Sequence, residues 1–277
     1  MFTIDAHQHF WRYDVVTHEW INDEMSVIRK DFLPAQLEPV LKQNGISGCV
    51  AVQADQSEKE TDFLLQLAEE HDFIKGVVGW VDLRADNIKE RLDHYKAFRL
   101  LKGFRHILQG EAPEFMLQPG FINGIAALQE YRFTYDILVF PQHLKAVLEL
   151  VSKFPDQPFV IDHIAKPYIK DGLITEWKKD MEQFSIFENV YCKISGMVTE
   201  ADYHHWKPAD FTPYLDATVN AFGTKRILYG SDWPVCLVAA NYTDMLNIVK
   251  TYFASFTATE QEDFFGNNAT RFYQLED

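Results

Sequence analysis

Residues 3–7, TIDAH, begin with two β-branched residues and end in a histidine, and Gln8 and His9 follow directly. A short run of this kind, bounded by polar residues, is typical of a buried β-strand. Seven more such runs lie along the chain, each followed by a segment with helical spacing: 47–54 (SGCVAVQA), 74–82 (IKGVVGWVD), 101–107 (LKGFRHI), 133–139 (FTYDILV), 158–164 (PFVIDHI), 190–196 (VYCKISG) and 226–232 (RILYGSD). Eight β-then-α units in order predict an α/β fold, a closed parallel (β/α)8 barrel of the TIM type.

Helix signals occupy the intervals between the runs. Pro34 is placed to open a helix, and Gly45 is placed to end it in a left-handed cap. Residues 142–153 carry one apolar stripe at i, i+3, i+4 and i+7, which indicates core packing. Similar patterns predict helices over 62–71, 87–95, 174–187, 213–222 and 241–253.

No linker, low-complexity tract or charge block divides the chain, so we expect a single domain over residues 1–277. The alternative is an open doubly wound sheet, but the first strand lacks the glycine-rich turn typical of that fold. Two connections, 10–32 and 197–208, are longer than a barrel needs. Both follow predicted carboxyl ends of strands, where barrel enzymes build active-site loops.

Composition excludes several classes of protein. The chain has 26 Lys+Arg against 41 Asp+Glu, a formal net charge of −15, which disfavours binding to nucleic acid. With 47% hydrophobic and 14% aromatic residues it can bury a large core. Cys49, Cys192 and Cys236 lie in apolar runs and are predicted to be reduced core thiols. No targeting pattern or membrane-spanning run of about 18 apolar residues occurs, so we expect a cytoplasmic protein without a membrane partner.

In a barrel, side chains at the carboxyl ends of the strands converge on one mouth. Strand alternation places His7 and His9 on one face, inward if Ala6 and Gln8 face the helices. Two such imidazoles can bind one divalent ion or polarise one carbonyl, although they could also satisfy buried backbone groups.

The sixth and eighth runs add polar groups to the mouth. The pair Asp162-His163 interrupts an apolar run, and because burying it without partners is costly, a third imidazole is expected there. Asp232 could bind a metal ion or take a proton from water; the alternative is an N-cap, which the following Trp-Pro disfavours. Arg105 suits an oxyanion, a carboxylate or a ring of hydroxyls, and an ion pair with a neighbouring carboxylate such as Asp82 or Asp136 is the competing interpretation.

Four motifs together resemble the amidohydrolase superfamily: D-x-H-x-H at the first strand, G-x-R-H at the fourth, D-H-x-x-K-P at the sixth and Y-G-S-D-W-P at the eighth. More narrowly, they resemble its sugar-lactonase branch, the L-fucono-lactonase and L-rhamnono-lactonase type. The resemblance covers essentially the whole chain. It implies an amidohydrolase-type barrel with a central group of His7, His9, His163 and Asp232.

The resemblance also bears on metal. Two-metal relatives bridge their ions with a strand-four lysine, but Lys102 lies at the amino end of that strand, too far from the mouth to serve. Many relatives also use a histidine of the fifth unit, but His143 lies beyond Pro141, at the start of the following helix. We therefore expect at most one divalent ion, bound by His7, His9, His163 and Asp232 and best matched by Zn²⁺. The branch also includes members that work without metal, so metal-independent action stays open.

This reasoning predicts a hydrolase that opens a sugar lactone to the aldonic acid. Asp232 is assigned as general base, and His7, His9 and His163 polarise the carbonyl. The residues expected to orient the sugar are Arg105, Trp11, Gln53, Asp82 and His106. Two alternatives remain: a metal-dependent decarboxylase or other amidohydrolase on the same barrel, and, less favoured, a non-catalytic ligand-binding barrel. The sugar, its ring size and the oligomeric state are left open by the sequence.

Overall fold

The computed structural model describes residues 2–276. Its strands pair in parallel in chain order, as one eight-stranded sheet. The strands are β1 (Ile4–Gln8), β2 (Gly48–Val52), β3 (Ile74–Gly79), β4 (Leu101–Ile107), β5 (Thr134–Leu138), β6 (Phe159–Ile161), β7 (Val190–Ile194) and β8 (Ile227–Tyr229). The predicted (β/α)8 architecture is confirmed.

The last and first strands are joined by backbone contacts of the residues that directly follow β8. Gln8 and Trp233 form an isolated parallel bridge, in which the His9 N–H donates to the Trp233 carbonyl at 2.7 Å. The Asp232 N–H donates to the His7 carbonyl at 2.8 Å. The barrel is therefore joined at its carboxyl end by the backbone of three of the predicted site residues.

Helices follow the strands in turn. They are α1 (Pro34–Asn44), α2 (Glu58–Glu70), α3 (Ile88–Tyr95), α4 (Pro119–Tyr131), α5 (Leu144–Ser152), α6 (Thr175–Glu182), α7 (Pro208–Phe222), α8 (Tyr242–Phe253), α9 (Ala258–Glu262) and α10 (Asn268–Tyr273). The predicted start and end of α1 are confirmed, with Gly45 at φ +72°.

Some helix boundaries differ from the prediction. The expected helix over 62–71 begins earlier, at Glu58, because the Ser57 side chain accepts the Glu60 N–H and caps it. The expected helix over 213–222 begins at Pro208, and Pro213 lies inside it. For helix α4, the sequence predicted a helical segment after the fourth strand but no bounds.

The half of the barrel interior nearer the amino ends of the strands is apolar. Its side chains come from β1, β2, β3, β6 and β8, and they pack with the C-terminal segment: Ile4, Ala6, Val50, Val52, Val78, Val160, Leu228, Ala269, Phe272, Tyr273 and Leu275. Strands that are not neighbours in the sheet can meet in this way only inside the barrel. Since the Lys102 ammonium donates to the Gln274 carbonyl at 3.1 Å, this segment closes the amino end of the barrel, far from the mouth.

The expected alternation in β1 is wrong at one residue. Ala6 packs inside the barrel and does not face the helices. The reason is an irregularity in the β1–β2 register between Asp5 and Gln8, which lets adjacent residues share a side. Asp5 points outward and accepts the Tyr242 hydroxyl at 3.0 Å, while Gln8 donates to Cys49 Sγ at 3.3 Å.

Two further findings concern the whole described chain. The three cysteines are buried and free. Within residues 2–276, no helix combines the length and apolar character that crossing a membrane requires.

Candidate active site at the carboxyl end of the barrel

The side chains of His7, His9, His163 and Asp232 meet where β1, β6 and β8 end, and we call them the central cluster. The Nε2 atoms of His7 and His9 are 3.2 Å apart. Asp232 Oδ1 lies 3.4 Å from His9 Nε2 and 3.8 Å from His163 Nε2. The rings of His7 and His163 have centroids 4.3 Å apart. All four residues are buried, so the predicted juxtaposition is present in the structure.

Unusual backbone conformations position two members of the cluster. The consecutive residues from His163 to Lys166 all have φ between +48° and +58°, and Asp232 has φ +58°. For residues other than glycine each such conformation costs roughly 1–2 kcal/mol, so surrounding contacts must hold it. One of them is Trp177, whose indole donates to the Ile164 carbonyl at 2.8 Å. The strain is thus concentrated in the segments that carry His163 and Asp232.

Two glycines make room for the cluster. A Cβ atom on Gly196, which has φ +59°, would lie 2.6 Å from His163 Nδ1 and 3.1 Å from Asp232 Oδ2. A Cβ on Gly230 would lie 2.7 Å from the His7 Cβ. Any larger residue at either position would push a cluster side chain out of place.

Hydrogen bonds orient two of the imidazoles. His9 Nδ1 lies 2.7 Å from the Val52 carbonyl, which can only accept, so Nδ1 carries a proton and Nε2 is directed at His7 and Asp232. His163 Nδ1 lies 2.8 Å from the Ser195 hydroxyl, and this contact aims its Nε2 at Asp232.

His7 is contacted from three sides. Its Nδ1 lies 3.3 Å from Asp162 Oδ1 and 3.2 Å from the Lys193 ammonium. Its Nε2 lies 3.2 Å from the Arg105 guanidinium as well as facing His9. The ring is therefore fixed in orientation by charged groups that are themselves buried.

Those charged groups form a balanced network beneath the cluster. Lys193 Nζ lies 2.5 Å from Asp136 and 3.0 Å from Asp162, and Arg105 lies 3.0 Å from the other oxygen of Asp162. The Tyr273 hydroxyl donates to Asp136 at 2.8 Å. Two cations thus face two carboxylates, as burial of charge requires.

The environment sets the charge state of the cluster. Burial lowers the pKa of His7 and of His163 well below the usual histidine value, so both are neutral at physiological pH. Burial alone would raise the pKa of Asp232, but His163, His9 and Lys166 outweigh it and hold the pKa below its ordinary value. The cluster therefore combines two neutral imidazoles, those of His7 and His163, with an ionised carboxylate.

These donors fit a divalent metal ion. His7, His9 and Asp232 each offer one ligand atom, and these atoms all lie within 4.8 Å of one another. The edges of 3.2 and 3.4 Å agree with the roughly 3.3 Å between ligands of a tetrahedral Zn²⁺ with bonds of about 2.0–2.1 Å. Asp162 beside His7 Nδ1 is the kind of carboxylate partner that orients a metal-bound imidazole.

Two of the residues predicted to bind the sugar lie beside the cluster. Gln53 Nε2 donates to the Arg105 carbonyl at 3.1 Å, and the Arg105 guanidinium contacts both oxygens of Gln53. The ion-pair partner of Arg105 is Asp162, not Asp82 or Asp136 as the sequence suggested. The donors of Arg105 that have partners are thus committed to the protein itself.

The other three predicted sugar-binding residues make contacts of their own. Trp11 is buried in the loop after β1, where its indole donates to the Lys30 carbonyl at 2.9 Å, and its ring centroid is 6.4 Å from that of His9. Asp82 is partly exposed and pairs with Arg84 at 3.6 Å. The His106 ring stacks on Phe115, and burial lowers its pKa to about 4.

Sequence reasoning missed Lys193. It lies in β7 between the buried residues Cys192 and Ile194, and strand alternation therefore directs it into the barrel. A lysine in that position needs a buried carboxylate, and Asp136 of β5 supplies it. The available signal was a charge in the middle of a strand with apolar neighbours.

The chain is similar to known proteins over nearly its whole length. A family model described as amidohydrolase matches residues 4–275. The L-fucono-1,5-lactonase of Burkholderia multivorans is 38% identical over 98% of this chain and 96% of its own length, and that of Burkholderia ambifaria is 33% identical over 99% and 96%. A crystal structure of an amidohydrolase from Burkholderia multivorans with bound zinc has a TM-score of 0.96 at 37% identity, with both chains covered completely.

Proposed function

Because the chain belongs to the amidohydrolase family, we propose that it hydrolyses a sugar lactone, of the L-fucono- or L-rhamnono-lactone kind, to the aldonic acid. The observation that carries the proposal is the central cluster, in which an ionised carboxylate faces the imidazoles of His9 and His163 at the barrel mouth. It is supported by relatives named as lactonases that align along nearly the whole chain.

Asp232 is the general base. Its carboxylate takes a proton from water as the water oxygen attacks the lactone carbonyl carbon. The tetrahedral intermediate then collapses, the bond from the carbonyl carbon to the ring oxygen breaks, and Asp232 returns the proton to that oxygen. Every atom of water ends in the product, as one acid hydroxyl oxygen and two protons.

The imidazoles polarise the lactone carbonyl, either as ligands of one divalent ion or directly where a ring N–H faces the carbonyl oxygen. His7 can hold its proton in two ways. With the proton on Nδ1, facing Asp162, its Nε2 is free as a metal ligand; with the proton on Nε2, Nδ1 accepts from Lys193 and Nε2 donates to the carbonyl oxygen. A divalent ion, for which we propose Zn²⁺ held by His7, His9, His163 and Asp232, supplies Lewis-acid polarisation of the carbonyl when bound.

The buried cations favour this reaction over decarboxylation on the same barrel. An aromatic or dienic acid substrate needs uncompensated positive charge at the mouth. Arg105 is paired with Asp162, and Lys193 with Asp136. Arg105 with Gln53 therefore serves to hold the strand ends and His7, and the paired charges favour a neutral lactone over a carboxylate substrate.

A panel of aldono-lactones assayed with a pH indicator tests the proposal, because each turnover releases one acid. The protein is used as purified, after chelation, and after chelation followed by added Zn²⁺. We expect turnover of at least one six-carbon lactone. If no preparation hydrolyses any lactone while the protein is folded, the proposed function is wrong.

A further inference from the structure

Lys166 and Glu200 form an ion pair at the mouth that the mechanism above does not use. Lys166 Nζ lies 2.6 Å from Glu200 Oε1, and the two side chains are only 14% and 17% exposed. A largely buried ion pair gains little net stability, because desolvating both charges offsets their attraction. Its presence therefore calls for an explanation other than stability.

Both partners belong to segments that also shape the central cluster. Lys166 is the last residue of the left-handed segment that begins at His163. Glu200 ends a turn that begins at Gly196, the glycine packed against His163 and Asp232, and Thr199 Oγ1 donates to the Gly196 carbonyl at 2.7 Å to hold this turn. The positive charge of Lys166 also contributes to lowering the pKa of Asp232, so the ammonium lies near the proposed base.

A cavity of about 360 Å³ opens beside Glu200, and Glu24, Lys170, Thr199 and Tyr203 also line it. Its walls come from the long connections after β1 and β7 and from the segment after β6. The volume falls in the range of small-ligand sites, about 300–1,000 Å³. The cavity thus lies next to the turn that touches the cluster, and Glu200 belongs to both.

The pair retains unused bonding capacity. An ammonium has three N–H donors, and within residues 2–276 Glu200 is the only hydrogen-bond partner of Lys166 Nζ. Glu200 Oε1 also takes a 3.4 Å contact from Thr199, but Oε2 accepts no hydrogen bond from the described residues. The pair can therefore donate and accept at once, with both charges already compensated.

We propose that Lys166 and Glu200 form a binding subsite for the ring hydroxyls of the substrate. Vicinal hydroxyls each donate and accept, so a fixed ammonium and carboxylate side by side match them better than either charge alone. A net-neutral pair suits a neutral polyol, and the left-handed segment holds it at a set distance from Asp232. The inference rests on the proposed function and assigns its specificity to two residues outside the central cluster.

The test compares a polyhydroxylated aldono-lactone with δ-valerolactone, which has the reacting ester and no ring hydroxyls. The variants are Lys166→Met, which keeps the length of the side chain, and Glu200→Gln, which keeps its shape. Lys153→Met and Glu149→Gln, from an exposed ion pair on α5, are the matched controls.

We expect KM for the aldono-lactone to rise at least about tenfold in Lys166→Met and in Glu200→Gln, the loss typical of a hydrogen bond to a charged group. The loss of kcat/KM on δ-valerolactone should be at least about threefold smaller than the loss on the aldono-lactone in each variant, and both controls should stay within about threefold of the wild type. A KM within twofold of wild type on the aldono-lactone overturns the inference. So does an equal loss on both lactones, which would mean that the pair only supports the fold or the reacting groups.

Binding of a 1,5-anhydrohexitol, which keeps the ring hydroxyls but lacks the carbonyl, separates this inference from the proposed function. Calorimetry should show binding to the wild type that weakens at least about tenfold in both variants. If the wild type hydrolyses no lactone, the proposed function fails, yet weaker anhydrohexitol binding in the variants still supports the subsite. Unchanged binding, or none to the wild type, overturns it.

Discussion

Gly196→Ala tests whether the fit around His163 and Asp232 governs activity. Two costs arise. The first is the left-handed backbone at φ +59°, which costs a residue with a Cβ about 1–2 kcal/mol. The second is contact: the new Cβ would lie 2.6 Å from His163 Nδ1, against an ordinary contact of at least 3.4 Å, so the ring has to move by 3.4 − 2.6 = 0.8 Å. Overpacking of this kind costs a further 1–3 kcal/mol or so.

Gly45→Ala is the control, because Gly45 has φ +72° and its Cβ would meet nothing within 4 Å. In urea unfolding, the free energy of unfolding should fall in both variants by the cost of a left-handed backbone, about 1–2 kcal/mol. It should fall further in Gly196→Ala because of the overpacking. A misplacement of about 1 Å costs on the order of 10² in rate, so kcat on the best lactone should fall about 100-fold in Gly196→Ala and stay near wild type in Gly45→Ala. If the two variants have kcat values within threefold of each other, the position of the His163 ring does not limit the reaction.

Three other predictions follow from the site and its surroundings. Asp232→Asn should lower kcat by about 10² to 10⁴ with the fold intact, whereas Asp82→Asn should have little effect. The metal content of each variant is measured alongside its kinetics. If Asp232→Asn keeps more than about a tenth of wild-type kcat, Asp232 is not the base. Elemental analysis after Zn²⁺ loading should find at most one ion per chain, and two would show that the ligand set is misassigned. Burial raises the pKa of Glu60 from 4.5 to about 7, so the folded state binds this proton more tightly than the unfolded state. The resulting stability is complete below about pH 4.5 and disappears as the pH rises through about 7; Glu60→Gln should remove this part of the decline in urea midpoint, and parallel curves for the two proteins would contradict it.

The barrel and the central cluster could be predicted from sequence because both follow from local patterns. Alternating strand and helix signals define the order of the units, and parallel strands in a closed sheet bring their carboxyl ends together. That rule alone places His7, His163 and Asp232 at one mouth, although they are far apart in the chain. The four motifs added the family and the assignment of the base.

What could not be predicted depends on contacts between distant residues. Lys193 and Asp136 are 57 residues apart, and no local pattern pairs them. Arg105 was expected to meet Asp82 or Asp136, but the curvature of the barrel brings it to Asp162. The inward position of Ala6 arises from the register irregularity in β1, which depends on its pairing with β2.

The closure of the barrel floor by the C-terminal segment has a consequence for how the protein folds. Tyr273 bonds to Asp136, which precedes it by 137 residues, and it follows all eight strands. Contacts that close such long loops form late, because much chain entropy is lost before they contribute stability. A chain with its strands assembled but α10 undocked would leave water around Asp136 and Lys193. We therefore expect the amide protons of β5 and β7 to gain full protection from exchange only in the slow step that buries Tyr273.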